Sequence, residues 1–271
     1  MDKKVYSAIC AIIKDEGDYI EEWIDYHNRI LNIQKFYLYD NGSTDDTMER
    51  LKPYIDSEIV ELNLIYGSDR QIDAYNDCLE KHREDTQWIV FIDADEFIYI
   101  NGLCVDLNAF LKDYIEFNGL GVNWITFGPS GHIYKPKGLV ISNYTECLPL
   151  KHYKNLHIKS IVNTDKCKIC KNPHYFSYYD NDGVVNEKKE KIGALTCFSK
   201  YNSTNFIAIY HYYTKSIYEF MDRCAKGKAC SGGWKSDIGV FKGGINVFST
   251  NRLEKNTNMF KYVKVLNKES N

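Results

Sequence analysis

The sequence predicts an α/β fold built on a mostly parallel sheet flanked by helices. Three observations carry that expectation. Over the first hundred residues, apolar runs rich in β-branched and aromatic side chains alternate with segments whose apolar residues recur at helical spacing. The four runs each end in a polar cluster, at the strand ends where an open parallel sheet binds its ligands. The fourth run, residues 88–92 (WIVFI), shows no alternation and reads as a strand buried on both faces.

Residues 6–13 form the first strand, which the polar turn Lys14-Asp15-Glu16-Gly17 breaks. Ile20, Trp23, Ile24, His27, Ile30 and Leu31 then fall at helical spacing, so residues 18–32 form an amphipathic helix. Residues 36–39 are a short second strand ending in the cluster 40–46 (DNGSTDD). There Gly42 permits a tight turn and Ser43 or Thr44 can cap the next helix. Residues 59–65 give a third strand and 71–82 a helix. Residues 105–117 read as helix and 122–127 as strand. Short β pieces are expected at 139–144, 157–162 and 206–213. Residues 216–226 return to helical periodicity, with Ile217, Phe220, Met221 and Cys224 on one face. The glycine-rich stretch 231–244 is expected to be mobile, and the charged tail to be frayed or helical surface. The pattern changes near residue 128, from regular alternation in 1–128 to a looser arrangement in 129–271.

Composition narrows the function. A chain of 271 residues can bury a substantial core. Its net charge of −3 argues against nucleic-acid binding by bulk electrostatics. The 22 tyrosines offer flat faces with a hydroxyl, which suit sugars and nucleobases, although AT-rich coding would also enrich tyrosine. No apolar leader follows Met-Asp-Lys-Lys and no run is long enough to span a membrane, so a cytosolic location with reduced thiols is expected. In that setting the sequons at Asn41, Asn143 and Asn202 carry no weight. Cys167 and Cys170 make a lone CxxC near His174; without a second pair they read as ordinary thiols, not a zinc site. Neither GxGxxG nor GxxxxGK[ST] occurs.

The candidate chemistry lies in Asp93-Ala94-Asp95-Glu96. Three carboxylates at the end of a buried strand repel one another and are costly to desolvate. A divalent cation that prefers oxygen ligands would relieve both problems. Strand alternation puts Asp93 and Asp95 on one side, with small Ala94 between them. The alternative is an acidic loop after an ordinary strand.

The order KDE after the first strand, DNGSTD after the second and FIDADEF after the fourth resembles nucleotide-sugar glycosyltransferases of the GT-A fold, of the family 2 kind. Residues 124–132 (WITFGPSGH), 157–162 (HIKSIV), 172–176 (NPHYF) and 211–216 (HYYTKS) resemble the glycosyltransferase family 92 type. The resemblance runs from about residue 6 to about residue 228. It implies a GT-A-like, Rossmann-type sheet whose first half, 1–128, binds a nucleotide sugar and whose second half, 129–271, binds the acceptor. It further implies that Asp40 accepts a hydrogen bond from uracil, and that Ile13, Lys14, Glu16, Arg70 and Gln71 surround the nucleoside. Asp93 would face the ribose or the metal. Asp95 would bind the metal that bridges the phosphates, with His211 as its second protein ligand. Lys159 and Lys215 would assist the leaving diphosphate. The implied metal is Mn2+ (or Mg2+), since a neutral imidazole suits Mn2+ better than Mg2+.

The implied reaction is hexose transfer from a UDP-sugar to a hydroxyl of a glycan or lipid-linked oligosaccharide, with inversion. Inversion needs a carboxylate base. Glu146, Asp180, Asp182 and Glu187 all lie in the acceptor half, and Asp182 is favoured because its loop could close over a sugar. The expected site is cytoplasmic, with peripheral contact at the inner face of a membrane for a lipid-linked acceptor; no nucleic-acid partner is expected. Two other functions remain open at this point. A nucleotidyltransferase would make the nucleotide sugar, but the turn after the first strand is too acidic for its basic glycine-rich loop. A non-catalytic carbohydrate-binding protein gives no reason for carboxylates at a sheet edge. Local alternatives stand too: Asp40 as a helix cap, Arg70 and Gln71 as a solvated helix start, and His211 as a hydrogen-bonded core histidine.

Overall fold

The computed structural model describes residues 3–102, 106–226 and 238–267. Four parallel strands, β1 (Val5–Ile13), β2 (Lys35–Asp40), β3 (Val60–Leu64) and β4 (Thr86–Phe91), alternate with α1 (Ile20–Asp25), α2 (Thr47–Asp56) and α3 (Gln71–His82). The alternation read from sequence is borne out, with strand ends shifted by a residue or two. Next come β5 (Glu96–Ile100), α4 (Leu107–Leu111), β6 (Gly119–Thr126), α5 (Val140–Asn143), β7 (Glu146–Cys147), β8 (Ile158–Asn163), β9 (Cys167–Asn172) and β10 (Tyr175–Tyr178). The chain closes with β11 (Ile207–His211), α6 (Ile217–Lys226), α7 (Ile238–Thr250), β12 (Glu254–Lys255) and α8 (Phe260–Leu266).

The main sheet has eight strands in the order β3-β2-β1-β4-β8-β6-β11-β5. β8 lies antiparallel between β4 and β6, β11 runs parallel to β6, and β5 is antiparallel to β11. One sheet therefore joins strands from both sides of residue 128. Alternate residues of β1 feed two apolar clusters, one per face: Ile9, Ala11 and Ile13 with Trp23 and Trp88, and Ala8, Cys10 and Ile12 with Tyr75 and Phe91. Trp88, Ile89, Val90 and Phe91 are all fully buried, as the unbroken apolar run required.

Strand β5 ends the main sheet, and its outer backbone groups would lack partners there. The first helix supplies them. Trp23 donates its indole N–H to the Glu96 carbonyl at 2.8 Å, and the Tyr26 hydroxyl donates to the Ile98 carbonyl at 2.7 Å. His27 Nε2 accepts the Ile98 N–H at 3.2 Å. Tyr26 and His27 reach β5 from a π-helical turn, Tyr26–Ile30, that extends α1.

Several elements differ from the sequence reading. Residues 139–144 are not β; they contain the short helix α5, started by Glu22, whose carboxylate accepts the N–H groups of Val140 (2.7 Å) and Ile141 (3.1 Å). The helix expected over 105–117 shrinks to α4 and a 3-10 turn at Lys112–Tyr114. β5 and the β9–β10 hairpin were not anticipated. Cys167 and Cys170 are buried thiols of that hairpin, packed in the second cluster. Part of the expected mobile stretch 231–244 lies outside the described residues, and its end belongs to α7. The tail folds into α8, which packs Tyr262 against Tyr26, with ring centroids 5.6 Å apart. Among the described residues, no helix is long and apolar enough to cross a membrane.

Candidate active site

The acidic turn is built from its own sequence. The Glu96 N–H donates to the Asp93 carbonyl at 3.0 Å, while the Glu96 carboxylate accepts the Asp93 N–H at 2.9 Å. Glu96 is fully buried, and its Oε1 has no hydrogen-bond partner. Burial pushes its carboxyl well above the usual range, against the attraction of Lys159.

Lys159 comes from β8, which the sheet order places directly beside β4. Its ammonium is 1% exposed, 2.8 Å from Asp93 Oδ2 and 3.4 Å from Glu96 Oε2. Burial works against its charge, but Asp93 and Glu96 overcome this and raise its pKa above the ordinary lysine value. Burial likewise raises Asp93, and the charge of Lys159 more than reverses it, so Asp93 stays ionised. Gln71, at the start of α3, donates to the other Asp93 oxygen at 2.7 Å.

Asp95 meets groups from the far end of the chain. In β11 His211 pairs with Glu96 of β5, and the Tyr212 N–H donates to the Asp95 carbonyl at 2.9 Å. That pairing sets His211 Nε2 3.4 Å from Asp95 Oδ2, and Arg223 of α6 donates to the same oxygen at 2.6 Å. Burial raises Asp95; the charges of His211, Arg223 and Lys215 outweigh it and hold the carboxyl well below the usual range. Lys215 lies 3.6 Å from Glu16 and 4.1 Å above the Tyr19 ring. Burial raises the Glu16 carboxyl, and Lys215 opposes that.

Residues in register share a face of the sheet. Lys159 is opposite Val122, His211 is opposite Thr126 and Glu96, and Trp124 donates its N–H to the His157 carbonyl at 3.0 Å. Lys159, His157, Trp124, His211 and Glu96 therefore share one face at the acidic edge. Trp124 is the hub of that wall: His157 stacks on it at 4.6 Å, His211 packs at 4.3 Å and His174 meets it edge-on at 5.4 Å.

The structure thus gathers Glu16, Gln71, Asp93, Asp95, Lys159, His211 and Lys215. Other expected residues stand apart. Ile13 is buried opposite Asp40 at the ends of β1 and β2, and Lys14 is exposed. Asp40 is 3% exposed and accepts from the N–H groups of Gly42 and Ser43, closing its own turn; the residue preceding α2 is Asp46, so Asp40 does not cap that helix. Arg70 pairs with Asp73 at 3.1 Å as an ordinary helix-start ion pair, although Gln71 beside it points into the site. Asp182 is bonded to Lys191 in the loop next to Asn118 and Gly119, where β6 begins; Asp95 and His211 lie where β6 ends. At ~3.3 Å per residue, β6 keeps that loop and the acidic edge roughly 20 Å apart. Glu187 is consumed by the N–H groups of Asn205, Phe206 and Ile207. Sequence reasoning missed Arg223, Trp124 and the exposed Tyr66 ring, which lies beside Gly42. Nothing in the local pattern separates Arg223 from a solvated helix residue.

The donor set fits a divalent ion bound together with a ligand. Among the described residues, no group of three or more His, Cys, Asp and Glu side chains converges. Asp95 Oδ2 and His211 Nε2 are nevertheless 3.4 Å apart, near the ~3 Å edge of an octahedral shell, and ions in phosphate sites take few protein ligands. The buried His211 Nδ1 has no partner, while Nε2 faces the Asp95 carboxylate.

The model of glycosyltransferase family 92 matches residues 3–225. A glycosyltransferase family 92 protein of Oryza sativa subsp. japonica is 30% identical over 174 residues, 60% of this chain and 28% of that protein. Galactan β-1,4-galactosyltransferase GALS2 of Arabidopsis thaliana is 38% identical over 109 residues, 36% of this chain and 21% of that protein. The chain thus spans less than a third of the length of these relatives. A crystal structure of GalNAc-T7 with UDP, GalNAc and Mn2+ is similar over 98% of this chain and 58% of that one, at 10% identity and a TM-score of 0.42.

Proposed function

The chain belongs to glycosyltransferase family 92, and on that premise we propose that it moves a hexose from a UDP-sugar to a glycan or lipid-linked hydroxyl, with inversion at the anomeric carbon. The observation that carries this reading is the meeting of Asp95 and His211, far apart in the sequence, at one sheet edge. Asp95 and His211 would hold Mn2+ (or Mg2+). When bound, the ion supplies positive charge to the departing diphosphate. Arg223 and Lys215 bring further positive charge to the same edge and would stabilise the leaving group. Lys159 and Gln71 fix the Asp93 carboxylate, which would take a ribose hydroxyl. Asp40 would accept a uracil N–H in exchange for one of the bonds from its own turn, and Ile13, Lys14 and Tyr66 lie around the same strand ends.

The named galactosyltransferase relative makes UDP-galactose the first donor to try. A lipid-linked acceptor would place the enzyme in peripheral contact with the cytoplasmic face of a membrane. The test is hydrolysis of UDP-galactose by the purified protein in Mn2+, where water replaces the acceptor. UDP release that EDTA abolishes supports a transferase. UDP binding without turnover would favour a non-catalytic carbohydrate-binding protein. Nucleotidyl transfer from UTP to galactose 1-phosphate would favour the enzyme that makes the nucleotide sugar.

A further inference from the structure

The proposed transfer needs a group that takes the acceptor proton, and the carboxylates read from sequence do not reach the acidic edge. Asp182 stands at the other end of β6 with Lys191, Asp180 accepts from Asn118 in the same loop, and Glu187 is saturated by backbone N–H groups. Glu146 faces Lys255 across the small β7–β12 ribbon. Asp93 is held by Lys159 and Gln71.

A histidine stands where a carboxylate was sought. β8 pairs with β4 through Trp88–Asn163 and Val90–Ile161. The pairing closes at Val90–Ile161, and at the same end of β8 the Lys159 ammonium reaches Asp93 of the acidic turn. His157 and Lys159 are two residues apart and project to the same face. His157 Nδ1 lies 2.9 Å from the Lys154 carbonyl, an oxygen that can only accept, so Nδ1 carries the hydrogen. Nε2 is left with its lone pair on this half-buried residue. The ring is clamped between Trp124 at 4.6 Å and Phe198 at 4.3 Å.

We propose that His157 is the general base of the transfer. This inference rests on the transferase reading. Nε2 takes the proton of the acceptor hydroxyl, the freed oxygen forms the bond to the anomeric carbon, and the bond to the diphosphate oxygen breaks with its electron pair leaving on UDP. The charges around His157 suit the task. Burial lowers its pKa, the Lys154 carbonyl raises it, and the charges of Lys154, His211 and Lys159 lower it, so the ring is neutral at pH 7. His174, the other histidine of the wall, is a poorer choice: burial and then the charge of Lys159 push it down to about 3, too weak a base for a hydroxyl.

The experiment uses UDP-galactose hydrolysis in Mn2+, with UDP affinity measured by calorimetry on the same proteins. His157→Asn keeps a donor for the Lys154 carbonyl and removes the base; His157→Ala opens the slot between Trp124 and Phe198. Both variants should lose about 100-fold or more in kcat, with UDP affinity and the KM for UDP-galactose within about threefold of wild type. Added imidazole should restore turnover to His157→Ala and not to His157→Asn, whose side chain fills the slot. Unchanged kcat in both variants overturns the assignment, as does loss of kcat together with UDP affinity, or loss in Glu146→Gln with His157→Asn unaffected. Wild-type protein that binds no UDP in Mn2+ overturns the transferase reading and this inference with it, whereas UDP binding with His157-independent turnover overturns the base alone.

Discussion

Lys159 and Asp95 are both charged and both at the acidic edge, yet they should respond differently to mutation. Lys159 is buried between the ionised Asp93 and the fully buried Glu96. Removing one member of such a set leaves an uncompensated charge, so Lys159→Met should cost about 3–5 kcal/mol in urea unfolding. Asp95 is 14% exposed, and its partner Arg223 is 40% exposed and can rehydrate. Asp95→Ala should therefore lower the urea midpoint by less than Lys159→Met does, while UDP-galactose turnover falls at least about 100-fold. Equal turnover in Asp95→Ala and wild type would show that the carboxylate serves no ion. At this scale the acidic tetrapeptide, Lys159, His211 and Lys215 were legible because each sits in a motif. Arg223 was not, because its partner lies 128 residues away and only the fold joins them. His157 was visible as a residue but not as a base, since the Nδ1 bond that fixes its tautomer depends on the turn before β8.

Among the elements, β5 depends on the side chains of the first helix and its π-helical turn, and that dependence should titrate. Burial lowers the pKa of His27 from 6.5 to about 3. Its folded pKa is depressed, so between about pH 6.5 and pH 3 the unfolded chain binds a proton that the native chain does not. Stability is therefore complete above about pH 6.5 and declines as the pH falls through that window, by up to about 1.4 kcal/mol per pH unit. His27→Gln keeps an acceptor for the Ile98 N–H and removes the titration. Urea unfolding at pH 6.5 and pH 5 should show wild type losing about 2 kcal/mol more than the variant; parallel losses would contradict the account. The element errors have a common cause. Residues 139–144 look β-like, but Glu22, far away in sequence, caps them as a helix. β5 follows the acidic turn so closely that sequence gave no second strand boundary.

For the whole molecule, the regular first hundred residues were legible because helix and strand alternate with short connections. Farther along, the strands at 122–127, 157–162 and 206–213 were legible but their order was not, because it is non-local: β8 enters between β4 and β6, and β11 enters between β6 and β5. That weaving carries His211 from the looser half of the chain to Asp95. If the two halves complete one cation site, Mn2+ should support faster UDP-galactose turnover than Mg2+, because imidazole suits the softer ion. His211→Ala should lower the rate and narrow the difference; an unchanged Mn2+ to Mg2+ ratio would remove His211 from the site. The most direct measurement is a crystal structure with UDP and Mn2+, with the ion located by its anomalous scattering. The account predicts one peak within bonding distance of both an Asp95 oxygen and a His211 ring nitrogen, next to the diphosphate. A peak bonded to the diphosphate with the His211 ring far from it would contradict the claim.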